Sequence, residues 1–276
     1  MIGVSPAYFI SRFTDRFSPD DIITSLPDIK AMGYDGFEPE VFHADMLPAW
    51  RKGGAQNVRD AAEANGLIPT QFVAHFLLKG FDSPTSLASP FGLVEMREVI
   101  DMLDIFEDIS VVVVPFAAFK GTDHSTDTYQ IRLVEKLGAL LKYVEDSGRR
   151  MALEIMPDSL IDGYAGFHTL CDKLESDTLG INLDTGHANA SGEDMANIVA
   201  TLGNRILGTH LCDNFGVENH SLAPGRADIN FTKILADAHA SGYTGSWDVE
   251  IICNPAEMQR EYTAGLKHIT EILSGS

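Results

Sequence analysis

The chain has 276 residues, 45% of them hydrophobic, a length that suits either one α/β barrel of roughly 250 residues or two smaller domains. Its formal net charge of -20 at pH 7 argues against nucleic acid as a partner, because binding to a phosphate backbone depends on Lys and Arg. No apolar segment approaches the roughly 18 residues of a membrane span and no signal-peptide pattern is present, so we expect a cytoplasmic protein with no membrane partner.

Short apolar or β-branched runs recur along the chain, and each is followed by a longer segment with helical periodicity. Helices are predicted over 18–33, which starts with Ser-Pro-Asp-Asp and ends with Gly, and over 125–148, which has similar ends. Alternation of this kind is typical of parallel strands joined by crossover helices. The runs predict eight strands, over residues 2–9, 34–42, 68–76, 110–116, 150–156, 179–185, 205–213 and 246–252.

Eight such units follow one another without a Gly-rich linker or a long charge run. They favour a single domain over residues 1–276, folded as one closed (β/α)8 TIM barrel. An open doubly wound sheet is the alternative. No G-x-G-x-x-G motif follows the first strand, which weakens a dinucleotide-binding interpretation of that alternative.

The three cysteines, Cys171, Cys212 and Cys253, are far apart in the sequence and form no C-x-x-C pair. Neither a disulfide framework nor a thiolate zinc site is indicated. We interpret all three as buried thiols.

Side-chain alternation sorts the residues of the last four strands onto two faces. The polar face carries Glu154, Asp184, His210 and Glu250, each near the C-terminal end of its strand. Active sites of TIM barrels lie at that end, so we expect these four side chains to converge there. The opposite face, predicted to pack against the helices, carries Leu153, Ile155, Ile181, Leu183, Leu207, Leu211, Trp247, Val249 and Ile251.

Three carboxylates in so small a space repel one another unless a cation is present. An oxygen-rich ligand set with one histidine suits a divalent metal, Mn²⁺ first, with Mg²⁺, Co²⁺ or Zn²⁺ as alternatives. For any one of these acids, capping a helix or pairing with an arginine is the structural alternative. Four matched positions favour the metal site.

Several motifs resemble those of the sugar-phosphate isomerase/epimerase superfamily, the xylose isomerase-like barrels that include ketose 3-epimerases, inosose dehydratases and apurinic endonucleases. They are "GYDGFEPE" (33–40), "LEIMP" (153–157), "NLDTGHAN" (182–189), "GTHLCDN" (208–214) and "WDVEI" (247–251). The resemblance implies that Glu154, Asp184, His210 and Glu250 are the metal ligands. It also implies that Glu154 and Glu250 form the acid/base pair, moving a proton beside a substrate carbonyl through an enediolate that the metal stabilises.

The same resemblance suggests substrate contacts. His187 is expected beside the metal, with local hydrogen bonding as the alternative, and Arg226 in "APGRADINF" is a weaker anchor. His75, His220 and Glu38 are further candidates; the histidines could instead be structural, and Glu38 could pair with a basic residue. Asp213 is interpreted as a residue that orients a histidine.

The endonuclease branch binds three metals through additional histidines. His75 and the Glu218-x-His220 pair retain part of that set, but the fourth strand has no histidine near Pro115. A three-metal site is therefore not expected.

The function predicted first is a metal-dependent isomerase or 3-epimerase acting on a small ketose or keto-polyol. The alternative is a metal-dependent lyase, a dehydratase or decarboxylase, acting on a keto-acid, keto-sugar or inosose-type substrate through the same enolate. A sugar-binding or regulatory barrel without activity is a third interpretation, weakened by the two glutamates. A homodimer or homotetramer is expected from the resemblance, and the sequence leaves open whether the substrate carries a phosphate.

Overall fold

The computed structural model describes residues 1–121 and 127–275. One parallel sheet occupies the centre, and its hydrogen-bonded order is β3-β2-β1-β9-β8-β7-β6-β5-β4. The strands are β1 (Ile2–Val4), β2 (Gly36–Phe37), β3 (Ile68–Pro69), β4 (Phe72–Val73), β5 (Val111–Phe116), β6 (Arg150–Ile155), β7 (Leu179–Asp184), β8 (Ile206–Leu211) and β9 (Trp247–Val249).

Helices connect the strands and surround the sheet. They are α1 (Ala7–Phe13), α2 (Pro19–Met32), α3 (Leu47–Ala49), α4 (Ala55–Asn65), α5 (Pro84–Ala88), α6 (Leu93–Leu103), α7 (Asp127–Asp146), α8 (Gly163–Leu174), α9 (Thr185–Ala190), α10 (Ile198–Leu202), α11 (Phe231–Ala240) and α12 (Met258–Ser274). Within the described ranges, no helix is both long enough and apolar enough to cross a bilayer.

The first and last strands of the sheet order, β3 and β4, are separated in the chain only by Thr70 and Gln71. They are two halves of one strand position, which pairs with β2 on one side and β5 on the other. The sheet therefore returns to its start as a nearly closed barrel with eight strand positions. This confirms the predicted (β/α)8 TIM barrel.

Several of the predicted strands were wrong in extent. The strand predicted over 34–42 is regular only at Gly36–Phe37, and the one predicted over 246–252 covers only Trp247–Val249. The strand predicted over 2–9 ends at Val4, and Tyr8 and Phe9 are buried on α1 instead. A short apolar run does not distinguish a strand from a buried helix, which explains the error. The strand predicted over 68–76 is interrupted after Pro69 and ends at Val73, where a 3₁₀ helix over His75–Gly80 follows.

The helix predicted over 18–33 is confirmed. Ser18 caps α2 by accepting a hydrogen bond from the backbone N–H of Asp21, whose carboxylate accepts from the N–H of Ser18 in return. Gly33 ends the helix with a φ of 101°, a conformation that favours glycine. For the helix predicted over 125–148, α7 covers most of the range, but the predicted start lies outside the described residues.

The predicted outward apolar face packs into the main core, with Leu207 as the exception. The pairing of β7 with β8 shifts register, since Ile181 pairs with Ile206 while Asn182 pairs with Gly208. The extra residue, Leu207, is a bulge that turns its side chain inward. There it joins a small apolar cluster at the bottom of the barrel, formed with Val73, Val111, Val113 and Ala152.

The cysteine interpretation is correct for two positions. Cys171 and Cys212 are buried free thiols, whereas Cys253 is also free but only half-buried, so its predicted burial was wrong. Cys253 lies beyond the end of β9, where the chain leaves the barrel wall.

The cap of α2 gives a test of this local structure. Ser18→Ala removes the hydrogen bond to the N–H of Asp21 and should lower the free energy of unfolding by about 1 kcal/mol. Urea denaturation measures this change. Thr24→Ala, at an exposed position of the same helix, is the control and should change stability less; equal effects of the two substitutions would contradict the capping role.

Candidate active site

Four chemically reactive side chains meet at the C-terminal ends of adjacent strands. Glu154 lies on β6, Asp184 ends β7, His210 lies on β8 and Glu250 follows β9 directly. The Nδ1 atom of His210 lies 3.1 Å from Oε2 of Glu154 and 3.0 Å from Oε2 of Glu250. Ligand-capable atoms of Asp184, His210 and Glu250 lie within 4.8 Å of one another. We call these four residues the acidic centre.

Two atoms of the acidic centre are buried and have no hydrogen-bond partner among the residues that the structure describes: Oδ2 of Asp184 and Nδ1 of His210. An unsatisfied buried polar atom costs about 1–3 kcal/mol, so such atoms call for an explanation. The two carboxylates beside Nδ1 do not satisfy it with hydrogen-bond geometry, although they lie within 3.1 Å. A divalent cation among these oxygens and this nitrogen would satisfy both atoms, so the residues fit a metal.

Asp184 combines two roles that appeared as alternatives in the sequence. Its Oδ1 caps α9 by accepting a hydrogen bond of 2.7 Å from the backbone N–H of His187. Its Oδ2 remains free and faces the acidic centre. The strand-to-helix junction therefore fixes the carboxylate by one oxygen and leaves the other available to a metal.

The charges of the acidic centre shift its protonation strongly. Burial lowers the pKa of His210, but Glu38, Glu154 and Glu250 together raise it well above its ordinary value. Burial raises the pKa of Glu154, yet the contact with His210 outweighs it and brings the pKa to about 2. Burial, with the charges of Glu250 and Glu154, raises the pKa of Asp184 to about 7 against the opposing effect of His187. Without a metal, the protonated form of His210 is therefore favoured, and Asp184 holds a proton below about pH 7.

His187 lies beside the acidic centre, as expected. Its Nε2 is 3.6 Å from Oδ2 of Asp184 and 3.9 Å from Oε1 of Glu154. The side-chain amide of Asn219 lies 3.3 Å from Nδ1, so donation from that amide would leave Nε2 carrying the ring proton. In that tautomer, His187 presents a donor to the centre.

Glu38 is fully buried below the centre. Its Oε2 lies 3.0 Å from Nε2 of His210, and its Oε1 accepts a hydrogen bond of 2.9 Å from Gln71. The structure therefore shows Glu38 paired with a basic residue, which was one of the two alternatives left open by the sequence. Its side chain is not exposed in this structure.

A second histidine, His75, begins the 3₁₀ helix that follows β4. Nδ1 of His75 lies 3.0 Å from Oε1 of Glu40, and its ring stacks on Phe42 with a centroid separation of 3.9 Å. Burial lowers the pKa of His75, but the contact with Glu40 and the charges of Glu154 and Glu250 outweigh it, so the pKa is raised above its ordinary value. Sequence reasoning missed Glu40 as a partner, although its alternation with Glu38 placed both on one face.

Two further candidates contact other groups. Arg226 is half-exposed and pairs with Glu261 at 3.2 Å, and His220 is exposed and contacts Glu218 of its own loop. Their substrate-binding roles stay predictions. The prediction for Asp213 was wrong. Its carboxylate contacts no histidine among the described residues and instead accepts four backbone hydrogen bonds that hold the loop after β8, from the N–H groups of residues 214, 225, 227 and 229.

A barrel with buried carboxylates and histidines at the C-terminal ends of its strands is the architecture of a known class of proteins. The model of the family described as xylose isomerase-like TIM barrel matches residues 26–272. The chain belongs to that family, which confirms the resemblance found in the sequence.

Individual relatives extend the comparison. The chain is 30% identical to uncharacterized protein MJ1311 of Methanocaldococcus jannaschii over 244 residues, which cover 85% of this chain and 80% of that protein. Its fold is similar to that of 3-keto-D-glucoside 4-epimerase YcjR from E. coli, with a TM-score of 0.75, 18% identity and 98% of each chain covered. It is similar also to the IolI protein with a zinc atom, with a TM-score of 0.74, 15% identity, and 99% of this chain and 96% of that one covered.

Protonation of the acidic centre predicts a pH dependence of metal binding. A divalent ion must displace the protons on Asp184 and His210, so the affinity for Mn²⁺ should rise with pH. The rise should be about hundredfold per unit below the Asp184 pKa of about 7, where both protons are released, and about tenfold per unit above it, where only the His210 proton is released. Isothermal titration calorimetry in buffers of different ionisation enthalpy measures both the affinity and the protons released.

His220→Asn is the control for this measurement, because it removes an exposed histidine outside the centre and should leave the pH profile unchanged. Metal affinity that does not vary between about pH 6 and pH 8, with no proton release, would contradict the described protonation.

Proposed function

We propose that the protein is a divalent-metal-dependent sugar isomerase or epimerase that acts on a keto sugar. The observation that carries the proposal is the placement of two carboxylates, those of Glu154 and Glu250, at 3.1 and 3.0 Å from the same nitrogen of His210. A binding protein has no need of two acids in that arrangement. The similar fold of a sugar epimerase, 3-keto-D-glucoside 4-epimerase YcjR, supports the proposal.

Glu154, Asp184, His210 and Glu250 would hold the metal, with Mn²⁺ proposed first and the zinc atom of the IolI structure supporting Zn²⁺ as an alternative. When bound, the metal would supply Lewis-acid stabilisation of the negative charge that develops when a proton leaves the carbon beside a carbonyl. The donor set of three carboxylates and one imidazole agrees with such a metal.

The two glutamates would move the proton. Glu250 is held from one side by the hydroxyl groups of Ser5 and Ser221, at 3.3 and 3.4 Å from its two oxygens. Glu154 lies across the centre on β6, with β7 and β8 between it and β9. One carboxylate takes a proton from one face of the substrate carbon, and the other returns a proton to the opposite face, which inverts the configuration.

Histidines would bind substrate oxygens around the centre. His187 presents Nε2 within 4 Å of both Asp184 and Glu154, so a substrate held there would receive its hydrogen bond. His75, which contacts Glu40 at 3.0 Å, is the second histidine proposed to bind substrate. These two contacts would fix the hydroxyl groups that flank the reacting carbon.

A cavity of about 1220 Å³ is lined by residues that include Ile155, Glu218 and Asn219. Asn219 contacts His187, but none of the described residues that line the cavity belongs to the acidic centre. The cavity is therefore a neighbouring space, and the charge of its wall does not determine the charge of the substrate.

Proton transfer gives the direct test. Incubation of the metal-loaded protein with a panel of ketoses and keto-glycosides in D₂O should yield an isomer or epimer that carries solvent deuterium. Glu154→Gln and Glu250→Gln should each lower the rate of exchange by about 10²- to 10⁴-fold. Glu218→Gln, at an exposed carboxylate of the cavity wall, is the matched control and should retain activity.

Release of water or CO₂ in place of an isomer would contradict the proposed reaction and favour the lyase. Substantial exchange in either glutamine variant would contradict the acid/base assignment.

A further inference from the structure

A chain of buried hydrogen bonds crosses the barrel directly below the acidic centre. The side-chain amide of Gln71 donates to Oε1 of Glu38 and to Oδ1 of Asn182, at 2.9 Å in both cases. The amide of Asn182 then donates to Oε2 of Glu154 at 3.3 Å. Glu38 itself contacts His210, so the two amides link the histidine to the carboxylate on the other side of the centre. We call Gln71 and Asn182 the amide bridge.

Both members of the amide bridge are almost fully buried, with exposed fractions of 2% for Gln71 and 1% for Asn182. Burial of two amides in a barrel interior is costly unless their donors and acceptors are used, and here the donors point to carboxylates and to one another. The barrel also makes space for them: a Cβ atom at Gly208 would overlap Oε1 of Gln71 and lie 2.7 Å from Oδ1 of Asn182. The interruption between β3 and β4 places Gln71 at this level.

We propose that the amide bridge positions His210 and Glu154 for the metal, an inference that rests on the proposed metal-dependent function. Gln71 holds Glu38, and Glu38 accepts a hydrogen bond from the Nε2–H group of His210. With the ring proton on Nε2, the Nδ1 atom presents its lone pair to the metal. Asn182 occupies Oε2 of Glu154, so Oε1 is the oxygen left for proton transfer. Gln71 and Asn182 are thus positioning residues, which touch neither metal nor substrate.

A bridge that only filled the barrel would affect stability and nothing else. A positioning bridge predicts a change in the metal site itself, because histidine orientation sets ligand geometry and basicity. The two roles are therefore separated by a spectroscopic signature of the ligands, measured with no substrate present.

The experiment uses the full chain and Co²⁺, whose visible absorption reports ligand geometry. Gln71→Glu replaces the donor with an oxygen that repels Glu38 and should weaken Co²⁺ binding by about 10- to 100-fold and alter the spectrum. Asn182→Asp should alter the spectrum in the same way through Glu154. Gln56→Glu is the matched control, since Gln56 is an exposed glutamine on α4 that donates to Asp60; its spectrum and affinity should equal those of the unmodified protein.

Gln71→Met removes the same donors without adding charge, and it provides the test if Gln71→Glu does not fold. Unchanged affinity and spectrum in a folded Gln71 variant would overturn the positioning role, even if its metal-free form unfolds at a lower temperature. Failure of the unmodified protein to bind Co²⁺, Mn²⁺ or Zn²⁺ would instead overturn the proposed metal-dependent function, and the bridge's role with it.

Discussion

The imidazole of His210 lies within 3.1 Å of three carboxylates, those of Glu38, Glu154 and Glu250, and all of them are buried or nearly so. One imidazolium compensates one negative charge, and Asp184 adds a further acid to the same space. Carboxylates so crowded in a low dielectric remain ionised only when cations balance them. In the metal-free protein, the imidazolium of His210 balances part of this charge, and the raised pKa of Asp184 favours its neutral form. A divalent ion would balance the carboxylates in their ionised form.

The barrel interior supports this crowding in layers. At the bottom, the bulge at Leu207 completes a small apolar cluster with the valines of β5. Above it lies the polar level of Gln71, Asn182, Glu38 and Asp248, and above that the acidic centre. The parallel strands hold the side chains of each level in register around the barrel. The polar level contacts the acidic centre through Glu38–His210 and Asn182–Glu154, so the packing of the barrel interior orients these two side chains of the site.

The sequence was most informative where regular alternation holds. Period two placed Glu154, Asp184, His210 and Glu250 on one face, and parallel strands then required that they converge. The same rule failed at Leu207, because a one-residue bulge is invisible in the hydrophobic pattern. It also failed for residues 7–9, where an apolar helix follows a strand of three residues.

Partners across the barrel were beyond sequence reasoning. Gln71 contacts residues 33 and 111 positions away, and Glu40 contacts His75 from the adjacent strand position. Alternation indicates the face of a side chain but not the atom it will meet, since that depends on the stagger of all the strands. Asp213 shows the same limit: its proximity to His210 in the chain suggested a role in orienting a histidine, whereas its oxygens hold a loop.

We propose that the acidic centre is a metal site in which His210 binds the ion through Nδ1 while Glu38 holds Nε2. A crystal structure of the Mn²⁺-loaded protein, with the ion located by its anomalous scattering, tests this most directly. We expect one strong peak in contact with Glu154, Asp184, His210 and Glu250, and we expect Nε2 of His210 to keep its contact with Glu38. A protein crystallised in saturating Mn²⁺ with no peak at this position, or with His210 turned away from the ion, would contradict it.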